Sequence, residues 1–179
     1  MAHSFIDRAQ AVQSIVFDAG GKLVGRTRLQ KIAYILEVME CGFGFDFAYK
    51  HYGPYSETLS LATQFASSAR LISEEEQIAN WGGRYSVFHV SNAHPAQSDD
   101  PLISRRRQIV QCTSHADAVE LEIAATAILL FHEGFSDPWA ETKKRKPSKT
   151  SDSVVSGAKS LIAKLRGLDN DEKLSAIPA

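Results

Sequence analysis

The sequence has little of what marks a secreted, membrane-spanning or disulfide-stabilised protein. Only two of its 179 residues are cysteines, Cys41 and Cys112, and they lie far apart with no metal-ligand partner nearby. We therefore expect free thiols in a reducing compartment. No apolar run reaches the roughly 18 residues that a membrane helix needs, and residues 123–131 (IAATAILLF) instead predict a helix of the core. The first ten residues, MAHSFIDRAQ, lack the layout of a signal peptide. These features predict a cytoplasmic protein.

A large excess of charge is also missing, as are the common catalytic motifs. The formal net charge of -1 gives the whole chain no affinity for polyanions, so any nucleic-acid-binding surface would be local. The sequence contains no Gly-x-Ser-x-Gly motif, no phosphate-binding loop and no His-Glu-x-x-His motif. Its histidines and cysteines show none of the short paired spacings of a structural zinc site. We therefore expect no catalytic residues, no metal and no cofactor.

Length and composition predict one domain. A chain of 179 residues with 44% hydrophobic and 23% charged residues can form one core of ordinary size but is short for two domains. We predict a single domain over residues 1–179, with lobes at 1–91 and 101–167 on either side of a polar, turn-rich linker. Residues 168–179 are predicted to be frayed. The predicted fold class is α+β, mainly α, with a winged-helix-like N-terminal half and a small antiparallel sheet packed on a C-terminal helical bundle.

The chain from Gly25 to Leu59 contains the most informative patterns. Thr27 and Gln30 have the spacing of a capping box, which predicts that a helix begins there. Apolar residues then recur at the spacing of one helix face: Leu29, Ile32, Ala33 and Leu36. One face of this helix is therefore expected to be buried.

An aromatic strand and a tight turn follow this helix. From Phe43 to Tyr49 aromatic residues alternate with small or polar ones, which is the period of a strand. Gly53 and Pro54 end the strand in a turn, and Ser56 is placed to cap the next helix. Helix, strand and helix are thus predicted to meet at residues 52–56.

The flanking patterns add a first helix and a hairpin. Residues 5–17 have helical spacing and end at a pair of glycines, and two strand-like runs surround residues 80–83 (NWGG). The order helix, helix, strand, helix, hairpin is typical of a winged helix. In the second lobe, helix starts are predicted at four sites: Asp100-Pro101, Ser114 to Asp117, Asp137-Pro138 and Asp152.

Two segments carry a resemblance to a known family. Residues 27–36 (TRLQKIAYIL) combine basic, apolar and tyrosine positions in one helix, and residues 49–59 (YKHYGPYSETL) contain the Gly-Pro turn. With these motifs the N-terminal half resembles the YwgA-like proteins of bacteria and, more distantly, the Panacea domain of SocA-type antitoxins. Tyr55-Ser56 after the turn departs from the small apolar residue usual in the Panacea domain and fits the YwgA-like branch. The resemblance implies a mainly helical interaction domain with no known catalytic chemistry.

The turn and the helix before it form the predicted binding site. Tyrosine suits a position where one end of the ring is buried and the other is wet, and the positive end of a helix dipole together with basic side chains suits a bound carboxylate or phosphate. The competing interpretations are rings that only close the core and cations that form a solvated face. The predicted partner-binding residues are Arg26, Arg28, Lys31, His51, Tyr52, Gly53, Pro54, Tyr55 and Ser56.

The absence of a catalytic set favours a non-enzymatic interaction module, and the resemblance implies that it is bacterial and antitoxin-like, with a protein such as a toxin as its partner. The alternative is a winged-helix DNA-binding transcriptional regulator that uses Gln64, Arg70, Arg84, Arg105, Arg106 and Arg107. Residues 143–146 (KKRK) are a further basic run, and the two basic runs would form a patch only if the fold brings them together. A nucleic-acid-cleaving site at Asp46, Lys50 and Glu57 is the weakest hypothesis, because these residues provide no convincing carboxylate pair for a metal ion.

Overall fold

The fold combines seven α-helices with two small antiparallel sheets in the part of the chain that the structure describes. The structure is a computed structural model, and it describes residues 4–80, 82–90, 100–169 and 172–178. The helices are α1 (Phe5–Asp18), α2 (Arg26–Val38), α3 (Glu57–Ser68), α4 (Pro101–Ser114), α5 (Ala118–His132), α6 (Pro138–Arg145) and α7 (Asp152–Arg166). A single 3₁₀ turn, Pro147–Lys149, joins α6 to α7. The predicted α+β, mainly α fold class is confirmed.

The strands form a three-stranded sheet and a two-stranded ribbon. They are β1 (Lys22–Val24), β2 (Ala48–Lys50), β3 (Gly53–Tyr55), β4 (Ile72–Ile78) and β5 (Arg84–Val90). The sheet has the order β1-β5-β4, with Leu23 opposite Phe88 and Glu74 opposite Phe88 on its other side. The ribbon pairs β2 with β3 and ends in the turn at His51 and Tyr52.

The N-terminal elements follow the order α1, β1, α2, ribbon, α3 and hairpin. This order agrees with the helix-helix-strand-helix-hairpin prediction, apart from β1, which was not predicted. Three residues, of which only Leu23 is buried, are too few to give a period of two in the sequence. The predicted hairpin is confirmed as β4 and β5; its turn includes residue 81, which lies outside the described residues.

Helix α5 is the centre of the core. Residues 121–130 are all buried, and the helix packs against α2, α6, α7 and β3. One hydrophobic cluster contains side chains from both predicted lobes, among them Ile32 and Leu36 of α2 and Ile123 and Ile128 of α5. The predicted division into lobes remains a prediction, and residues 91–99 of the predicted linker lie outside the described residues.

Most of the predicted helix caps are confirmed. Ser56, Asp100, Asp117 and Asp137 each accept a hydrogen bond from a backbone N–H in the first turn of the helix that follows. The last helix differs, because Ser151 accepts from the Val154 N–H and Asp152 is already helical.

Two predictions around α2 are wrong. The helix begins at Arg26 after Gly25, and no side chain caps it, so Thr27 and Gln30 form no capping box. The aromatic strand is confined to residues 48–50, because Glu37 accepts the backbone N–H groups of Phe43, Gly44 and Phe45 and holds that segment in a loop. An aromatic alternation alone does not reveal a carboxylate that takes up the hydrogen bonds a strand would need.

The predicted frayed tail is also wrong for the residues described within it. Leu174 and Ile177 are buried, and Arg166 donates to the Leu174 carbonyl at 3.0 Å. Trp139 Nε1 donates to the Pro178 carbonyl at 2.8 Å. Two apolar residues and these bonds are enough to fix a short polar segment on α6 and α7.

Among the residues that the structure describes, none of the helices is both long and apolar enough to cross a bilayer.

Candidate functional site

The β2–β3 ribbon is held between α2, α3 and α5, and its turn faces outward. Gln30, on the buried side of α2, accepts the Ser56 N–H at 2.8 Å and donates to the Ser56 carbonyl at 3.0 Å and to Ser60 Oγ at 3.1 Å. The side chain predicted to cap its own helix therefore fixes the end of the ribbon and the start of α3. At the tip, His51 and Tyr52 are exposed.

Gly53 lets the ribbon lie directly on α5. Its φ of +87° is a conformation that residues with a Cβ rarely adopt, and a Cβ at this position would collide with Thr126 Oγ1 of α5. Gly53 and Pro54 are buried. These two predicted residues therefore support the site from beneath and are not available to a partner.

A cleft opens between α2, α3, β4 and the ribbon, and we name it the first cleft. Its volume is about 220 Å³. A Tyr55–Ser60 hydroxyl pair at 2.8 Å and an Arg26–Glu74 ion pair at 2.6 Å belong to it. The residues that line it are Arg26, Thr27, Leu29, Gln30, Lys31, Tyr52, Tyr55, Ser60, Thr63, Gln64 and Glu74.

The first cleft unites residues from both predicted motifs. Arg26 and Lys31 come from the first half of α2, whereas Tyr52 comes from the turn at residues 51–52 and Tyr55 from β3. Gly53 and Pro54, which were predicted to form the turn, are residues of β3 instead. Gln64, which was predicted for nucleic-acid binding, lies on the same wall. Two segments separated by about twenty residues in the sequence thus form one open cavity.

Arg28 has a different role from the one predicted. Its Nη1 donates to the carbonyls of Ser114 at 3.0 Å and Ala116 at 2.6 Å, and more weakly to that of Thr113 at 3.4 Å. These carbonyls lie where α4 ends and α5 is about to begin, so Arg28 ties α2 to the α4–α5 junction. Burial lowers the pKa of this guanidinium, an effect that the Asp117 carboxylate opposes.

Lys31 is a buried cation beneath the ribbon. Its side chain is 1% exposed, and Nζ donates to the Pro54 carbonyl at 2.7 Å. Burial lowers the pKa of Lys31 to about 7; the Glu122 carboxylate opposes this change, and the Lys146 and Lys149 ammonium groups add to it.

Lys146, Lys149 and Glu122 complete a charged cluster around this turn. Lys146 Nζ donates to the His51 carbonyl at 3.0 Å and to Glu122 Oε1 at 2.8 Å, while Lys149 Nζ reaches both Glu122 oxygens at 3.0 and 2.8 Å. Lys146 and Glu122 are buried. We name Lys31, Lys146, Lys149 and Glu122 the lysine cluster.

A second cleft lies on the other side of Tyr52, against the lysine cluster. Its volume is about 520 Å³. The Arg145 guanidinium lies 4.5 Å from the centre of the Tyr49 ring, and Lys149 Nζ lies 5.0 Å from that of Tyr52. The lining residues are Tyr49, His51, Tyr52, Arg145, Lys146, Pro147, Ser148 and Lys149.

The sequence predicted only some of the residues that form the second cleft. The run at residues 143–146 suggests a solvated surface, and nothing local distinguishes its buried member, Lys146, from its neighbours. Glu122 gives a clearer signal, because a carboxylate within the apolar part of α5, two residues after Glu120 of the first turn, needs a buried partner. Its sequence separation from the lysines concealed which partner that is.

The three consecutive arginines do not join the other basic run. Arg105 donates to the Leu168 carbonyl, Arg106 donates to the Cys41 carbonyl at 2.7 Å, and Arg107 pairs with Asp18 at 3.1 Å. Arg70 and Arg84 are exposed, and Arg84 pairs with Glu76 on the neighbouring strand. These predicted nucleic-acid-binding residues are therefore spread over several faces, and most of them bind the chain itself.

Among the described residues, no group of three or more His, Cys, Asp or Glu side chains is arranged to hold a metal ion.

Comparison with known proteins gives one informative similarity. The chain is 29% identical over 133 residues to the uncharacterized protein YwgA of Bacillus subtilis (strain 168), a match that covers 73% of this chain and 76% of that protein. This similarity supports the YwgA-like resemblance. No family model matches the chain, so the more distant Panacea resemblance gains no support, and no solved structure matches it.

Proposed function

We propose that this YwgA-like chain is a non-enzymatic interaction module that binds a segment of a protein partner in the first cleft. The observation that carries the proposal is the convergence of two separate motifs on one open cavity, with Arg26 and Lys31 from one motif and Tyr52 and Tyr55 from the other. An antitoxin-like role, with a toxin as the partner, is the specific form of this proposal that the Panacea resemblance suggests.

The surface of the first cleft suits a polar peptide segment. Hydroxyl and amide groups of Tyr55, Ser60 and Gln64 offer donors and acceptors, while the half-exposed ring of Tyr52 offers an apolar contact at the rim. Tyrosine and arginine are the residue types that most often dominate binding energy at protein interfaces. The Arg26–Glu74 pair at the rim can exchange partners at small cost, because Arg26 is largely exposed.

Site-specific photo-crosslinking tests this proposal. A benzophenone amino acid placed at Gln64, an exposed position within the cleft, should yield a discrete crosslinked protein in the native cells. The same amino acid at Ile78, which is 69% exposed on the hairpin and outside the cleft, is the control. Crosslinks of equal yield and identity from both positions, or none from Gln64, would refute partner binding in the first cleft.

The DNA-binding alternative is favoured by one observation, the order of the elements. With α3 after the ribbon and β4–β5 as the hairpin, α3 occupies the position of a recognition helix. Its exposed side chains include Glu57, Leu61 and Phe65, and β4 carries three consecutive glutamates at residues 74–76. Such a face offers phosphates few cations. A gel shift at low salt tests the alternative, and absence of a shift would refute DNA binding.

A further inference from the structure

We propose that the second cleft is a binding site for a phosphoryl group, held by Lys149 and Lys146 with Lys31 behind them. This site opens on the other side of Tyr52 from the first cleft, which Tyr52 and the buried Lys31 also line, and the inference does not depend on the proposed partner. Its basis is an excess of buried positive charge, together with ammonium N–H groups that have no acceptor within the described part of the chain.

The charges of the lysine cluster do not balance. Three lysines meet one carboxylate, Glu122, so two positive charges remain when all three lysines are ionised and one remains when Lys31 is neutral. Lys31 and Lys146 are buried, and removing an uncompensated ammonium group from water is costly. A dianion at the cluster would balance it, and a phosphate monoester carries nearly two negative charges at neutral pH.

The ammonium groups also have donors to spare. Each carries three N–H groups, of which Lys31 gives one to the Pro54 carbonyl and Lys146 gives two, to His51 and Glu122. Lys149 is bonded to Glu122 alone, and its side chain is 35% exposed. Lys149 can therefore turn toward a ligand without breaking a bond to the ribbon.

The walls of the second cleft suit the rest of such a ligand. Among its described lining residues there is no carboxylate, and the further cation there, Arg145, is paired with Glu141 at 2.7 Å. The rings of Tyr49 and Tyr52 face the cavity's cations and offer flat surfaces on which a base or another ring can stack. At about 520 Å³ the cleft has room for more than a free phosphate ion.

A simpler explanation is that the lysines only fasten the ribbon through the His51 and Pro54 carbonyls. Fastening requires Lys31 and Lys146, and in that explanation Lys149 only neutralises the buried Glu122 carboxylate. The two explanations therefore differ in what Lys149 does, and this residue is the one to change.

Isothermal titration with inorganic phosphate, at constant ionic strength maintained with sodium chloride, tests the proposal. We expect wild-type protein to bind one phosphate, and Lys149→Gln to bind it at least tenfold more weakly. The matched control is Lys143→Gln, an exposed lysine on α6 whose ion pair with Asp152 lies outside the cleft; it should retain the wild-type affinity within twofold. Thermal melts in chloride alone establish that each variant is folded.

Adenosine monophosphate provides a second titration that distinguishes the source of the phosphoryl group. Binding tighter than that of inorganic phosphate, and weakened by Tyr49→Leu, would identify a nucleotide-like ligand. Equal binding of the two would identify the phosphoryl group alone as the ligand. Absence of heat with both probes in the wild type, or unchanged affinity in Lys149→Gln, would overturn the proposal.

Discussion

The buried ammonium of Lys31 predicts an unusual dependence of stability on pH. Burial lowers its pKa from 10.5 to about 7, a difference that corresponds to about 5 kcal/mol between its two protonation states. Between these values the unfolded chain binds a proton that the folded chain does not, so the free energy of unfolding rises as pH rises. Below about pH 7 both states are protonated, the slope disappears and the full cost of burying the charge is present.

The substitution Lys31→Met removes this dependence. Between pH 7 and 9 wild-type protein should gain about 2 kcal/mol from Lys31, and the variant should lack that gain. Loss of the bond to the Pro54 carbonyl costs the variant about 1.5–3 kcal/mol at every pH. The stability of the variant relative to wild type is therefore expected to be highest at acidic pH and to fall as the solution becomes alkaline.

Urea denaturation at pH 6, 7, 8 and 9, in buffers free of phosphate and sulfate, measures the effect. Lys22→Met, at an exposed position on β1, controls for the removal of a lysine. Parallel curves of stability against pH for wild type and Lys31→Met would refute the reasoning, because they would mean that Lys31 titrates alike in the folded and unfolded chains.

Three further substitutions test the contacts assigned to single residues, and urea denaturation measures the stability of each variant. Arg28→Met should lower the free energy of unfolding by about 2–3 kcal/mol, because it deprives the carbonyls at the α4–α5 junction of a charged donor. The exposed Arg26→Met should lower it by less than about 1 kcal/mol. Equal losses in the two variants would contradict the assigned roles. Gly53→Ala should lose at least about 1–3 kcal/mol, since it combines a strained φ with a collision against Thr126; a neutral result would mean that the ribbon does not lie on α5. Leu174→Ala should lose about 2–5 kcal/mol from its buried site, and no loss would restore the frayed tail.

Local patterns in the sequence were sufficient to predict where most of the helices begin. Ser56, Asp100 and Asp117 each stand before apolar residues at helical spacing, Asp137 stands before a proline that suits the first helical position, and each of the four caps a helix. Both kinds of information act within a few residues, so they survive in the sequence alone.

Hydrogen bonds between a side chain and a separate segment account for the errors in the predicted aromatic strand, capping box and tail. Glu37 takes the N–H groups of the aromatic loop, and Gln30 serves the ribbon instead of its own helix. In both cases a polar side chain that could have bonded within its own helix instead forms hydrogen bonds to backbone groups of a segment that the fold brings near it. The tail shows the same effect, because the carbonyl partners of Trp139 and Arg166 lie in a segment without a recognisable period.

The candidate site was predictable in part for the same reason. Tyr52 and Tyr55 flank Gly53 and Pro54 and are three residues apart, so they had to lie near one another. Lys149 and Glu122 reach that turn only through the packing of α5 and the 3₁₀ turn, which no local pattern encodes. Arg28 was predicted to bind a partner, because the sequence does not reveal that the carbonyls at the end of α4 lie beside it and accept its hydrogen bonds.

Partner binding in the first cleft is the central claim, and affinity capture tests it most directly. Tagged wild-type protein, Tyr52→Ala/Gln64→Ala and the control Phe5→Ala, whose exposed ring lies on α1, would be recovered from native extract with and without nuclease. The account predicts one stoichiometric protein partner that withstands nuclease, is retained by Phe5→Ala and is lost by the double variant. Recovery of nucleic acid, or loss of every partner after nuclease treatment, would contradict it.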